Sequence, residues 1–384
     1  MCPPDTSVDV LPWIVSTALI DAVICDEGST ELSIPGIERV TIRPRQIIPF
    51  ESNVERTEKT EWILLTSGTT GLPKLVSHTF ATLSGALTGH GDPDTGLVWA
   101  TFYDIRRFGG LQILLRALLG GNSMVLSQAD ESTDTFLTRA TSHRVTHISG
   151  TPSHWRRALL CDAITRFDPK YVRLSGEIAD QAILDRLRTV FPRAQISHAF
   201  ASTEAGVAFD VADGRAGFPA SWINGDAAPV HLKVRDGTLR IKSNRTATQY
   251  VGSSAKALFD DQGFVDTADM VELRDDRYYF VGRKDGMINV GGLKVHPEEI
   301  ESVINVHPAV RMSRARARSS PFIGSVVAVD VVADLGSNES IATVETLKRE
   351  ILQVCLQRLP RHKVPATIRF VQSIQLNDAG KVAR

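Results

Sequence analysis

The chain has 384 residues, 42% of them apolar and 23% charged, with a formal net charge of −1. That length allows a large core and two or more folding units. The near-zero charge excludes an electrostatic case for nucleic acid or an anionic membrane as the main partner. The four cysteines, Cys2, Cys25, Cys161 and Cys355, lack CxxC spacing. They exclude a zinc site or disulfide framework by pattern and read as small core residues in a reducing compartment.

The first segment, "LPWIVSTALIDAVIC", reads as a helix running into a short buried strand. Its apolar part, Val10 to Ile20, is too short for a membrane span, and no basic n-region precedes it, which argues against a signal peptide. A cytoplasmic location is the expectation. "IERVTIRP" alternates like a strand. "EWILLT" is a compact apolar run expected as a buried strand of an α/β sheet. It leads into "SGTTGLPK", a loop of hydroxyls and glycines ending on Lys74. Such a loop aims backbone N–H groups at an anion, although its ending is not that of a Walker A loop, and a plain turn has the same texture.

"FGGLQILLRALLGG" has helical apolar spacing and stops at Gly120–Gly121. "SMVLS" reads as a strand. "HRVTH" spaces His143 and His147 at i, i+4 without the glutamate of a metal-binding helix. "DQAILDRLRTVFP" reads as a helix capped by Asp180, with Ile183, Leu184, Leu187, Val190 and Phe191 on one face and a stop at Pro192. "AQISHAF" follows as a strand. Repeated strand–helix alternation predicts a mostly parallel sheet flanked by helices.

From about residue 215 the texture becomes β-rich. "VHLKVRDGTLRIKS" reads as a hairpin around Asp236–Gly237. "GFVDTADMVELRDDRYYFVGR" continues the pattern. Beyond Asp285–Gly286, "HPEEIESVI" is a helix with Pro297 in its first turn, "SVVAVDVVA" a strand, "ETLKREILQVCLQRL" an amphipathic helix and "ATIRFV" a strand. The fold class expected is α/β, with a large N-terminal domain (1–284, its β-rich part about 215–284) and a small mobile α+β C-terminal domain (285–384).

Five stretches in order, "LLTSGTTGLPKLVSHT", "FASTEAG", "GFVDTADMVEL", "VGRKDGMINVGGLKVHPEEIE" and "NDAGKVAR", resemble the core motifs of the adenylate-forming superfamily of acyl-CoA synthetases, peptide-synthetase adenylation domains and luciferases. The resemblance implies that Thr66, Ser67, Gly68, Thr69, Thr70, Gly71 and Lys74 wrap the β- and γ-phosphates of ATP. It implies Mg²⁺ on Glu204 and contact of Thr203 with the α-phosphate. Phe200, with Ala201 and Ser202 in the same stretch, offers adenine a flat face, and Ser175–Gly176–Glu177 lines the other side. Asp269 accepts from the ribose hydroxyls with help from Arg283. Lys381 bridges the attacking carboxylate and the α-phosphate. Asp285 is the hinge, and rotation about it brings Gly291, Gly292, Leu293 and Lys294 to the site as the thiol passage.

Three departures stand out. Only about 63 residues precede the loop, so most of the family's first subdomain is expected to be missing, or supplied by a second chain of a homodimer. Ala201 and Ala268 replace usual glycines, each adding a methyl that nucleotide binding is expected to survive. "FYDIRRFGG" replaces an aromatic–His gate. Tyr103, Asp104, Arg106 and Phe108, with Gly150 and His198, are therefore the expected acyl pocket, and a small aromatic or polar carboxylic acid is the expected substrate, as in shortened relatives acting on phenazine- or benzoate-type acids. The resemblance implies transfer to coenzyme A. A carrier-protein thiol, an amine or nitrite are alternative acceptors, and a non-catalytic nucleotide-binding relic is the lesser reading.

Overall fold

The structure, a computed structural model, describes residues 1–26, 36–42, 59–66, 72–87, 96–128, 131–225, 229–252, 257–320, 324–334 and 341–383. Helix α1, Leu11–Ala18, carries Pro12 in its first turn and ends at Leu19, which takes a left-handed φ of 54°. Strand β1, Ala22–Asp26, pairs in parallel with β2, Glu38–Ile42. The expectation of a buried strand fails here. Ile24 is 68% exposed, because this two-stranded ladder lies outside the hydrophobic clusters of the described residues.

Strands β3, Glu61–Thr66, and β4, Lys74–Thr79, pair antiparallel in register Thr66 with Lys74. "EWILLT" is a strand as expected, but it lies in a separate three-stranded sheet and only Leu64 of it is buried. Residues 67–73 between them are too few for a parallel crossover, which needs about a dozen. Helix α2, Phe80–Ser84, follows behind a capping box of Thr79 and Thr82.

The central sheet is built by alternation of β5 (Val98–Thr101), α3 (Phe108–Leu119), β6 (Ser123–Val125), α4 (Thr133–Ser142), β7 (His147–Gly150), α5 (Pro152–Ala158), β8 (Tyr171–Ser175), α6 (Gln181–Val190), β9 (Gln195–Ser202) and β10 (Gly206–Val211). Its order is β10-β9-β8-β7-β5-β6, and every pairing is parallel except β10 with β9. Asp180 caps α6 by accepting the N–H of Ile183. Ile183, Leu184, Leu187 and Phe191 are buried as expected, whereas Val190 is 41% exposed. One sheet face packs Ile148, Val172, Leu174 and Ile196 against Trp155 and α6. The carboxyl ends of the parallel strands open at one edge, where ligands bind in open α/β sheets.

Next come β11 (Phe218–Pro219), β12 (Val230–Arg235), β13 (Thr238–Ser243), β14 (Gln249–Tyr250), β15 (Val265–Arg274) and β16 (Arg277–Arg283), ordered β11-β16-β15-β13-β12. Asp236 and Gly237 both have positive φ, as a two-residue hairpin turn of mirror type requires. Strand β14 leaves this sheet and pairs with β4, so Tyr250 lies beside Val76.

The last part contains β17 (Ile288–Val290), β18 (Leu293–Val295), α7 (Pro297–Ile304), β19 (Val310–Ser320), β20 (Gly324–Ala333), α8 (Ile341–Arg358) and β21 (Thr367–Phe370). Its three-stranded sheet β19-β20-β21 and both helices share a core of Ile300, Ile304, Val329, Val331, Ile351, Cys355 and Ile368. Of the cysteines, Cys355 is a core residue, but Cys161 is half-buried and Cys2 exposed, so the uniform core reading is corrected. Among the described residues no helix is long and apolar enough to cross a membrane.

Candidate active site

The last turn of the chain is built by one side chain. Asn377 Oδ1 accepts the N–H groups of Ala379 and Lys381, and the Asn377 N–H donates to the Lys381 carbonyl. Gly380, at φ +70°, presses its bare Cα against His154, and a Cβ there would sit 1.8 Å from His154 Cε1. The Thr151 hydroxyl donates to the Gly380 carbonyl at 2.5 Å. Glu177 accepts the Val382 N–H at 2.9 Å with Oε1 and the Ser153 N–H at 3.0 Å with Oε2. Lys381 is thereby carried to the edge of the parallel sheet, its Cε 3.5 Å from where a Cβ on Gly176 would lie. The His154 ring stacks on Phe102, with centroids 5.3 Å apart, and burial pushes its pKa down to about 3, so the ring stays neutral and Nδ1 accepts the Thr151 N–H.

Asp269 begins the ladder with Arg283, 3.6 Å away, and Arg283 also reaches Asp285 at 3.1 Å. Burial pushes the Asp269 carboxyl up to about 6, with Arg283 and Lys381 pulling against it. The structure thus brings together Lys381, Asp269 and Arg283, which are far apart in the chain. Ala268 takes φ +58°. The methyl that replaces the usual glycine therefore carries a backbone strain of about 1–2 kcal/mol.

Glu204 lies in the turn between β9 and β10, where its Oε1 accepts the Tyr250 hydroxyl at 3.3 Å. His78 Nε2 meets the Thr203 carbonyl at 2.7 Å. Lys74 lies over the Tyr250 ring at 5.3 Å, and the buried Thr66 hydroxyl has no partner among the described residues. Ser67, Gly68, Thr69, Thr70 and Gly71 lie outside the described residues. Phe200 stacks on Phe280 at 5.2 Å and on Phe209 at 5.8 Å, so this aromatic stack is assembled from protein rings. Ala201 is half-buried beside it, and Ser202 accepts the Ala205 N–H. Gly291 and Gly292 form the tip of the β17–β18 turn, and a Cβ on either would meet nothing within 4 Å. Leu293 and Lys294 are exposed there.

The residues expected to line the acyl pocket are placed as follows. Tyr103 is half-buried and donates its hydroxyl to the Ser175 carbonyl at 2.7 Å, next to Gly176 and Lys381. Asp104 and Arg106 instead pair with each other at the surface. Phe108, the first residue of α3, is buried and stacks on His78. His198 is in register with Leu174 and bonds the Arg215 carbonyl; strand alternation puts it on the face opposite to Arg173 and Ser175. Gly150 makes room for Phe102, whose Cδ2 would lie 2.7 Å from a Cβ. Thr151, His154, Tyr250 and Arg173 escaped sequence reasoning. Only Arg173 left a signal: a lone cation in "YVRLS", inside a strand type that is otherwise continuously apolar.

Comparison with known proteins follows this geometry. Acyl-coenzyme A synthetase ACSM4, mitochondrial, of Mus musculus is 26% identical over 354 residues, covering 84% of this chain and 59% of that protein. The 2-succinylbenzoate–CoA ligase of Staphylococcus epidermidis is 24% identical over 337 residues, covering 84% of this chain and 68% of that protein. The crystal structure of the anthranilate CoA ligase AuaEII in complex with anthranoyl-AMP superposes with a TM-score of 0.80 at 18% identity, over 99% of this chain and 80% of that one, which supports the fold. The family model described as AMP-binding enzyme matches residues 22–239, and that described as AMP-binding enzyme C-terminal domain matches residues 299–381. The first alone spans more than half of the chain, which therefore belongs to the AMP-binding enzyme family.

Proposed function

We propose that the protein activates a small aromatic or polar carboxylic acid with ATP as an acyl-adenylate, releasing pyrophosphate, and then passes the acyl group to coenzyme A. The observation that carries this reading is the seating of Lys381 against Gly176, held through Thr151 and Glu177 and within electrostatic reach of Asp269. A carboxylate oxygen of the acid forms a bond to the α-phosphorus while the bond from that phosphorus to the pyrophosphate oxygen breaks. Negative charge gathers on the α-phosphate and the leaving group, and the Lys381 ammonium neutralises it. Thr203 contacts the α-phosphate, and the stretch from Thr66 to Lys74 grips the pyrophosphate. Asp269 accepts from the ribose hydroxyls, with Arg283 fixed beside it.

Glu204 fits a magnesium ion: it is a half-buried carboxylate, a hard oxygen donor, oriented by the Tyr250 hydroxyl. Magnesium bound there supplies positive charge to the phosphates. In the second step the domain 285–384 turns about Asp285, withdraws Lys381 and presents Gly291 to Lys294. The thiol then attacks the acyl carbon, the carbon–oxygen bond to AMP breaks, and thioester and AMP leave. A cytoplasmic setting, where ATP and coenzyme A are at hand, goes with this chemistry.

Pyrophosphate and AMP release across a library of carboxylic acids tests both steps. Coenzyme A, a phosphopantetheinylated carrier protein, amines and nitrite form the acceptor arms, and the arm that accelerates AMP release names the acceptor. Palmitate outrunning every aromatic acid overturns the substrate class. Lys381→Ala is expected to lower ATP–pyrophosphate exchange about 100-fold or more while ATP binding persists. Exchange at the wild-type rate in that variant would remove Lys381 from the reaction, and exchange with no acid in the wild-type protein would leave only a nucleotide-binding relic.

A further inference from the structure

We propose that the sheet face beneath α3 holds a subsite for a second anionic group on the acid, with Arg173 as its charged donor and Ser149 beside it. The inference rests on the adenylation reading above and names its substrate class: a dicarboxylic or similarly bifunctional anionic acid.

Alternation along the strands places Trp99, Ser149, Arg173 and Ser175 on one face, since Ser149 is in register with Arg173 and Trp99 with His147, two residues before Ser149. Helix α3 covers this face, packing Ile113 and Ala117 on Trp99. Only 6% of the Arg173 side chain is exposed. Its Nε donates to Asp210 Oδ1 at 2.7 Å, but one terminal nitrogen is buried with no partner. The Ser149 hydroxyl and the Trp99 indole N–H on the same face are also buried and unpartnered. Buried polar atoms are nearly always satisfied, so a group of unfilled donors on one face marks a place where an acceptor belongs.

The charge balance points to an anion. A second guanidinium, Arg116 of α3, lies over the Trp99 ring at 5.7 Å; burial and the neighbouring Arg173 depress its pKa. Two arginines thus face one aspartate, Asp210, which is itself 41% exposed. Burial is the largest influence and opposes the charge on Arg173, but Asp210, Tyr171 and Tyr103 together outweigh it and the group stays cationic. Because a guanidinium presents a planar fork, the nitrogen left over after Asp210 is shaped for a carboxylate oxygen.

The distance fits one molecule. Arg173 precedes Gly176 by three strand residues, roughly 10 Å, and Gly176 backs Lys381. Tyr103, bonded to Ser175 and electrostatically linked to Arg173, flanks the path between them. An acid activated at Lys381 would present its far end to Arg173.

The test is ATP–pyrophosphate exchange by the full chain with benzoate, 4-aminobenzoate, isophthalate, terephthalate, succinate and adipate. At least one dicarboxylate is expected to exceed its monocarboxylate counterpart at least tenfold in kcat/KM. Arg173→Gln should cut that preference at least tenfold, mainly through KM, and Arg173→Lys should restore part of it. The inference is overturned if benzoate and 4-aminobenzoate match the dicarboxylates in the wild-type protein, a result independent of how any variant folds. It is also overturned if Arg173→Gln lowers all acids by one common factor, as a purely structural Arg173–Asp210 pair would. Exchange with benzoate but no dicarboxylate preference leaves adenylation standing and removes only the subsite. Exchange with no acid at all overturns both.

Discussion

Gly380→Ala is the sharpest probe of how Lys381 is held. An added Cβ would lie 1.8 Å from His154 Cε1 and 2.1 Å from Nε2. The ring has little room to yield, being stacked on Phe102 at 5.3 Å and edge-on to Tyr103 at 5.9 Å. The turn cannot easily shift either, because the Gly380 carbonyl is bonded to Thr151. Overpacking of this kind costs about 1–3 kcal/mol, and the left-handed φ of +70° adds about 1–2 kcal/mol for any residue with a side chain. The packing share alone corresponds to roughly a 5- to 150-fold fall in occupancy of the seated arrangement. ATP–pyrophosphate exchange should fall by at least that much, with AMP affinity nearly unchanged. Thioester formation from a supplied acyl-adenylate should suffer far less, since Lys381 is not needed there. Adding His154→Ala to Gly380→Ala should recover the packing share and leave the strain, a coupling that a double-mutant cycle measures. Exchange within threefold of wild type in Gly380→Ala would refute the seated turn as the arrangement that reacts.

Three further outcomes follow from the same geometry. Glu177→Gln replaces one of two accepting oxygens by a donor facing an N–H, at about 1–3 kcal/mol; exchange should drop roughly tenfold, and protease cleavage between residues 285 and 383 should quicken. Asp269 has a folded pKa of about 6 against an ordinary 3.8, so it holds a proton in the folded chain that the unfolded chain has lost. Its contribution to stability is therefore present below 3.8 and is lost as pH rises through 6. In the proposed contact the ionised form accepts from ribose, so AMP affinity should instead fall about tenfold per pH unit below 6, a slope that calorimetry should find flattened in Asp269→Asn. Ala268→Gly removes the strain at φ +58° and should raise the denaturation midpoint, by up to about 1 kcal/mol after the added chain entropy; a lower midpoint would refute strain there.

Much of the architecture was legible because strand–helix alternation and turn chemistry are local. Asp180 as a cap, the Asp236–Gly237 hairpin and the strands β6 and β9 each follow from a few neighbouring residues. "EWILLT" is legible as a strand but not as a member of the smaller sheet, because composition reports neither pairing partner nor direction. The shortness of residues 67–73, which forces an antiparallel return, was the signal that mattered. Lys381, Asp269 and Arg283 were legible as motif residues. The groups that hold Lys381 were not, because Thr151 and Glu177 act on a backbone carbonyl and a backbone N–H. Such bonds require no particular side chain at Gly380 or Val382, and so leave no matching pattern in the chain.

The acyl side turns on a single phase. In "YVRLS" and "QISHAFAS" a shift of one residue sends a side chain through the sheet, so His198 and Arg173, both polar residues in apolar strands, end on opposite faces. His198 finds the Arg215 carbonyl on its side and is satisfied. Arg173 finds Asp210 for one nitrogen and nothing for another. From the sequence, His198 is named for the pocket and Arg173 is passed over. Register separates them, and hydrogen-bond completeness then decides which one still has chemistry to offer. Asp104 and Arg106 neutralise each other, whereas Arg173, paired with Asp210 through Nε, keeps one buried terminal nitrogen without a partner.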